Sequence, residues 1–314
     1  SQIDEIIVTA TKRAENIQDV PIAITAFGES DIKKLGAQDM RELTAMTPNV
    51  LFTEDGASDV RSNIAIRGAV NSLGFLGINS SVGVYLDGVY IGKSQAFNLD
   101  SSELERVEVL RGPQGTLFGK NTTGGAINVV TKAPSDEFEA YIEGELGNFD
   151  LLRVRTGLST PIVEDVLSAR FSIQSARRDG YVTNLFDGEK LNDLDDLNGR
   201  LQVLFTPGEN TSFRLSVDAS ESNFRRSSEE LVGGAFGDSV KYQVNQDEDS
   251  AFKKTNYGLS LIAEHELASD HVLTSVTGWR DDTTEVPNFD GDLTTLNILT
   301  QLGFQSQRQI SQEL

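Results

Sequence analysis

The sequence predicts an α+β globule followed by the antiparallel strands of a transmembrane β-barrel, and three observations carry that prediction. Around Ala133-Pro134-Ser135 the pattern changes from mixed helix and strand to almost continuous strand. Beyond that boundary, apolar and polar residues alternate along about eight successive segments, the period of a two-faced strand. The connections between those segments are alternately short and long.

In the first part, Ile22 to Ala26, Asn63 to Arg67, Val82 to Leu86, Val107 to Leu110 and Ile127 to Thr131 are β-branched runs separated by Gly-rich turns, and read as short strands. Glu29 to Thr47 reads as a helix: Ser30 is placed to cap it, Ile32, Leu35, Met40 and Leu43 recur at near-helical spacing, and Pro48 stops it. Asp87-Gly88, between Val84-Tyr85-Leu86 and Val89-Tyr90-Ile91, is a hairpin signal, because both central residues of such a turn need positive φ.

In the second part, Phe138, Ala140, Ile142 and Leu146 fall on one face of a strand and Glu137, Glu139, Glu143 and Glu145 on the other. Leu167, Ala169, Phe171 and Ile173 oppose Ser168, Arg170, Ser172 and Gln174; Phe213, Leu215, Val217 and Ala219 oppose Arg214, Ser216 and Asp218; Tyr257, Leu259, Leu261 and Ala263 continue the series. Alternation alone suits a β-sandwich equally well. The connections discriminate. Ser159 to Asp165, Thr206 to Asn210 and Leu267 to Asp270 are brief, whereas Arg178 to Leu197, Glu221 to Lys254 and Thr284 to Gly303 are long and polar; Asn148-Phe149-Asp150 is the exception. Tight turns on one rim and long loops on the other are the habit of outer-membrane barrels. Tyr141, Tyr181 and Trp279 are expected near strand ends, as members of an interfacial girdle.

Composition narrows the function. Charged residues at 24% with 28 glycines exclude collagen-like and strongly disordered chains. No apolar stretch reaches the ~18–20 residues of a membrane-spanning helix, so any crossing must use strands. A net charge of −21 repels nucleic acid, which is not expected as a partner. With no cysteine and only His265 and His271, there is little material for a zinc site or a His-based triad. No G-x-S-x-G elbow occurs, and Gly119-Lys120 fails the Walker pattern, with Gln114 before it and Asn121 after it. Asp193-Asp195-Asp196 and Asp247-Glu248-Asp249 lack calcium-loop spacing and read as acidic loops. The chain is not expected to be an enzyme, or to need a cofactor or metal.

Several segments resemble the TonB-dependent outer-membrane receptor family. Glu5-Ile6-Ile7-Val8-Thr9-Ala10 resembles the TonB box, and Pro21-Ile22-Ala23-Ile24-Thr25, Leu43 to Val50, Ile64-Ala65-Ile66-Arg67-Gly68 and Val84 to Val89 resemble successive plug segments in the family's order. Leu104 to Lys132, LERVEVLRGPQGTLFGKNTTGGAINVVTK, is similar to the plug signature over its whole length. The resemblance implies a box and linker over 1–20, a plug domain over 21–133 and the start of the barrel over 134–314. A plug needs a barrel of about 22 strands, so about eight strands make an incomplete one.

The family further implies energised import of a scarce, bulky nutrient, a ferric siderophore being the commonest case. Alternatives are a plug-bearing binding or signalling receptor, or import of an oligosaccharide or cobalamin. A signalling receptor would carry a domain ahead of the box, and here only Ser1 and Gln2 precede Ile3. Expected partners are TonB, outer-membrane lipid and an extracellular small molecule, a ferric chelate being one such ligand. The location implied is the Gram-negative outer membrane, with box and plug facing the periplasm. The box is an extended, β-branched peptide suited to joining a partner's sheet edge through main-chain hydrogen bonds. By resemblance, Arg67 and Arg111 would pair with carboxylates of the barrel wall, Glu139, Glu143, Glu145 and Glu313 being candidates by sign. Asn71, Phe75 and Asn79, with the neighbouring Glu54 to Asn63, are candidate substrate contacts.

Overall fold

A computed structural model describes residues 6–37, 42–43, 46–55, 58–69, 80–92, 101–226, 240–248, 250–268, 271–292 and 294–314. The chain divides into two compact units, one of residues 1–55 and 60–133 and the other of 134–314 with 56–59.

The first unit opens with two short strands, β1 (Ile7–Val8) and β2 (Glu15–Asn16), paired antiparallel. Its main sheet uses β3 (Ile24–Gly28), β6 (Val82–Leu86), β7 (Val89–Ile91), β8 (Leu104–Arg111) and β9 (Gly125–Thr131), in the order β3-β8-β9-β6-β7. A separate two-stranded sheet joins β4 (Val50–Asp55) and β5 (Ser58–Ile66). Strands β8 and β9 are interior to the main sheet, so both of their faces must be covered. On one face Val84, Leu86, Val107, Val109, Ile127 and Val129 pack with Ile32, Leu43, Ile64 and Ile66. On the other, Tyr85, Leu110 and Ala126 pack with Phe118 and with Val8, Ala10 and Val20 of the N-terminal segment. The unit is therefore three layers deep, and the N-terminal segment is one of them.

Asp87 and Gly88 have φ of 47° and 82°, both positive as the turn requires. The Asp87 carboxylate accepts from the Thr131 backbone N–H at 2.9 Å and hydroxyl at 2.8 Å, tying the hairpin to β9. The helix departs from the sequence reading. Helix α1 spans only Glu29–Leu35, and its N-cap is Gly28, whose N–H donates to the Asp31 carboxylate at 3.3 Å, rather than Ser30. Gly36, in the left-handed conformation at φ 63°, ends it by donating to Lys33, while the Ala37 N–H donates to the Ile32 carbonyl. Glu42 and Leu43 are helical again. Periodicity carries across the break, because Ile32 and Leu43 reach the same core.

The second unit is an eight-stranded antiparallel sheet. In order its strands are β10 (Glu139–Gly147), β11 (Leu151–Val163), β12 (Leu167–Arg178), β15 (Leu194–Gly208), β16 (Thr211–Arg225), β18 (Ala251–Glu266), β19 (Val272–Val286) and β20 (Gly303–Glu313). The gaps in this series are β13 (Val182–Asn184), β14 (Lys190–Leu191) and β17 (Gln243–Val244), which form a small sheet at the rim where the long connections lie. The Asn148-Phe149-Asp150 hairpin opens on that same rim, with Phe149 and Asp150 at positive φ.

Burial in this sheet is inverted relative to a water-soluble sandwich. Along β12, Ser168, Arg170, Ser172 and Gln174 are buried, whereas the intervening Phe171 and Ile173 are 44% and 36% exposed. The same holds for buried Ser216 between exposed Leu215 and Val217, and for buried Asn256 beside exposed Tyr257. Apolar side chains that face outward in register suit a lipid solvent, and this excludes the sandwich that alternation alone allowed. On the exposed face the apolar run gives way to charge at Arg177 on β12, Asp195 on β15, Glu221 on β16, Asp281 on β19 and Arg308 on β20. Cross-strand ion pairs mark this border: Arg177–Asp195 at 3.2 Å, Lys253–Glu221 at 3.4 Å and Arg308–Asp281 at 2.8 Å.

Two of the aromatic residues are not in a girdle. Tyr141 lies on the polar face, directly over Gly157, where an added Cβ would come within 2.2 Å of its ring. Trp279 sits midway along β19, opposite Leu259 and Ile310.

Candidate functional site

The segment from Ile6 to Ala10 is docked rather than free. Val8 and Ala10 are fully buried against the sheet, while Ile7 points outward at 44% exposure. The seat beneath them is apolar except at its centre, where Glu108 of β8 and Asn128 of β9 stand opposite one another, both buried. Thr9 lands on this pair. Its backbone N–H donates to Glu108 Oε1 at 2.8 Å and its hydroxyl to the same oxygen at 3.1 Å. Arg106 Nε donates to Glu108 Oε1 at 2.8 Å, and its Nη2 reaches Thr9 Oγ1 at 3.2 Å. Asn128 Nδ2 donates to both Glu108 Oε2 and Thr9 Oγ1 at 3.2 Å. A buried carboxylate is costly unless paired and hydrogen-bonded, and this one is both. At the end of the segment, Lys12 turns back at φ 63° and places Nζ 4.7 Å from the Phe118 ring centroid and 5.7 Å from that of Tyr85.

Glu5, the first residue of the box, and Asn71, Phe75 and Asn79 lie outside the described residues. Within the first unit, Arg111 Nη1 donates to the Pro48 carbonyl at 3.4 Å, and its buried Nε has no hydrogen-bond partner among the described residues. Arg67, at φ 53°, holds its guanidinium over Gly112, 3.3 Å from where a Cβ would stand. The two arginines thus flank one glycine turn. Three of the four glutamates offered for them by sign are engaged by arginines of their own sheet: Glu139 by Arg170 at 3.1 Å, Glu145 by Arg153 at 2.6 Å, and Glu143 by Arg155 at 3.8 Å.

Sequence reasoning missed Glu108, Arg106 and Asn128. The available signal was an Arg-Val-Glu triplet inside a strand with apolar residues at Val107, Val109 and Leu110. Two charges on one face of an interior strand demand a buried partner.

At the rim, the long connections hold one another. Asn184 Nδ2 donates to the Gln246 carbonyl at 2.9 Å while the Gln246 N–H donates back to Asn184 Oδ1 at 3.0 Å. Glu248 accepts from Asn288 at 3.2 Å and from the Thr300 hydroxyl at 3.1 Å. Phe149, Tyr181 and Tyr242 gather with ring centroids 5.6 and 6.1 Å apart, and the Arg178 guanidinium stands 5.2 Å from the Tyr181 ring. Burial pushes the Asp193 carboxyl above its ordinary range, against hydrogen bonding and charge from Arg225 that favour the ionised form. Among the described residues, no group of three His, Cys, Asp or Glu is arranged to hold a metal ion.

An outward-greasy antiparallel sheet and a separate three-layer domain that seats its own N-terminal strand are the two parts expected of plug-bearing outer-membrane proteins. Residues 16–126 match the TonB-dependent receptor plug domain model. Residues 16–126 thus carry a TonB-dependent receptor plug domain, and the relatives and solved structures that the chain resembles are TonB-dependent receptors of the Gram-negative outer membrane. It is 31% identical over 202 residues to the pesticin receptor of Yersinia pestis, covering 63% of this chain and 29% of that protein. To the ferrichrome outer membrane transporter/phage receptor of Escherichia coli it is 29% identical over 160 residues, covering 50% of this chain and 20% of that one. In fold it is similar to the ferric yersiniabactin uptake receptor of Yersinia pestis, with TM-score 0.77 and 22% identity over 93% of this chain and 44% of the other. The ferripyoverdine receptor of Pseudomonas aeruginosa gives TM-score 0.77 and 17% identity over 98% of this chain and 40% of the other. The chain thus spans under half the length of these relatives.

Proposed function

We propose that the protein is a TonB-dependent importer of a ferric siderophore, energised through residues 5–10. The observation that carries this reading is the seated N-terminal strand. Two residues of Ile6–Ala10 are buried against the sheet and one points outward, with the main chain in strand conformation at Ile7–Val8. Such a segment can be exchanged for a pairing with a partner's sheet edge, since strand addition uses main-chain hydrogen bonds and so tolerates removal from its first seat. The substrate class is drawn from the relatives, whose names include receptors for ferrichrome, ferripyoverdine and ferric yersiniabactin.

The test is deletion of residues 5–10 in the receptor. Cells starved of iron are offered radioiron-loaded yersiniabactin, pyoverdine and ferrichrome in turn. Uptake of one of them is expected in the parent and lost in the deletion, while surface binding of that chelate persists. Uptake that survives the deletion would reject energised import through this segment.

A further inference from the structure

We propose that Glu108 is the keeper of the N-terminal strand: its carboxylate fixes where the strand sits, and loosening that contact frees the strand. The inference rests on the reading of residues 5–10 as the docking segment for TonB. Around Thr9 the seat is apolar, and an apolar seat by itself does not fix register, because Val8 and Ala10 could slide along it by two residues and stay buried. The Glu108–Asn128 pair removes that freedom. It is the polar island in that layer, and Thr9 is the residue that satisfies it with both a backbone N–H and a hydroxyl. A shift by two residues would set Ile7 or Thr11 over the carboxylate. Ile7 brings no hydroxyl, and the Thr11 hydroxyl already donates to Glu15 at 2.7 Å.

The contact is also built to be reversible. When Thr9 leaves, Glu108 keeps Arg106 and Asn128, so departure strands no bare charge, and water can take the vacated lone pairs. An all-apolar seat would lack this property, since every residue lifted from it would expose grease. Arg106 adds a second hold on the same hydroxyl from the exposed side, where Glu105 is also its partner. Glu108 is thus a positioning residue for the strand that a partner must take.

Within this chain there is no cysteine, so a thiol introduced here is read on its own proteolytic peptide. Val8→Cys, at a fully buried site, is made in the receptor in outer-membrane vesicles, and its rate of maleimide modification is measured alone and with Thr9→Val or Glu108→Gln. Each second substitution is expected to raise the rate by about tenfold or more, as loss of hydrogen bonds to a charged group implies. Val129→Cys, buried in β9, should stay unmodified in the same backgrounds. Where Glu108→Gln loosens the whole sheet and exposes Val129→Cys, Thr9→Val decides alone, because it removes only the hydroxyl from the strand side. Val8→Cys reacting at its parental rate with Thr9→Val would overturn the proposal. A parallel arm measures retention of the purified TonB C-terminal domain by receptor without reporter thiols. A freed Val8→Cys with no retention in any background leaves the keeper standing and rejects the docking reading. Retention by the parent with Val8→Cys protected in both variants keeps the docking reading and rejects the keeper.

Discussion

Glu29 joins the first turn of α1 to the end of the sheet, with Lys132 at 2.8 Å and Lys33 at 2.7 Å from one carboxylate oxygen. Partial burial works against its charge, but hydrogen bonds and charge from the two lysines prevail and hold the carboxyl below its ordinary value. Because the folded value is the lower one, the contribution is complete above the unfolded carboxylate range near ~4.3 and fades as pH falls through the folded value. Glu29→Gln should therefore speed amide exchange in α1 at pH 7, by an amount worth under about 1 kcal/mol given the exposure of the pair. The difference from the parent should close in acid; a gap that widens on acidification would contradict the assignment. At this scale some of the chemistry was legible. Asp87-Gly88 announced its turn because the conformational demand is local. Glu108 was only half legible: the Arg-Val-Glu triplet asks for a buried partner without naming it, since Thr9 lies 99 residues away and only the fold brings them together.

Among the strands, one ion-pair cluster on the buried face depends on a glycine. Asp218 of β16 accepts from Arg200 of β15 at 3.3 Å and from Arg280 of β19 at 2.9 Å, although β18 lies between β16 and β19. The crossing is possible because Gly258 occupies the intervening position; a Cβ there would stand 2.5 Å from Asp218 Oδ1 and 2.7 Å from Arg280 Nη1. Gly258→Ala should force the triad apart, and Asp218→Ala should leave two buried guanidinium groups without this carboxylate, a loss on the order of 3–5 kcal/mol. Both are expected to lower the temperature at which the receptor loses its folded mobility on a cold denaturing gel, and an unchanged temperature for both would show that the triad is not stabilising. Strand positions in this part were readable because alternation has a fixed period of two. The helix was misjudged for a comparable reason: near-helical spacing continues through Gly36, and a left-handed glycine interrupts a helix without disturbing which residues reach the core.

For the chain as a whole, outward grease is the decisive property, and the sequence displayed it only in part. Alternation could not say which face was wet; the loop lengths pointed to the answer, and the exposure of Phe171, Ile173, Leu215 and Val217 supplies it. Leu259→Arg, in the middle of the apolar band, should cost about 2–4 kcal/mol, whereas Thr283→Arg near the charged border should cost roughly 0–1. Equal costs, measured by reversible unfolding from lipid vesicles, would mean that the band is not in hydrocarbon. The border itself has a slope. Arg177 and Asp195 face each other in register, Glu221 lies opposite Leu197, and Asp281 lies opposite Tyr257, so the line slips by four residues from β12 to β20. Four residues of strand are about 13 Å and five strand spacings about 24 Å, which gives an inclination of roughly 30°. If the line is the waterline of the bilayer, the strands must lean by that angle from the membrane normal, a little below the roughly 35–45° of outer-membrane barrels. Polarised infrared absorption from aligned membranes reads this lean directly, and the row of ion pairs becomes a level mark from which the depth of every residue on the sheet can be sounded.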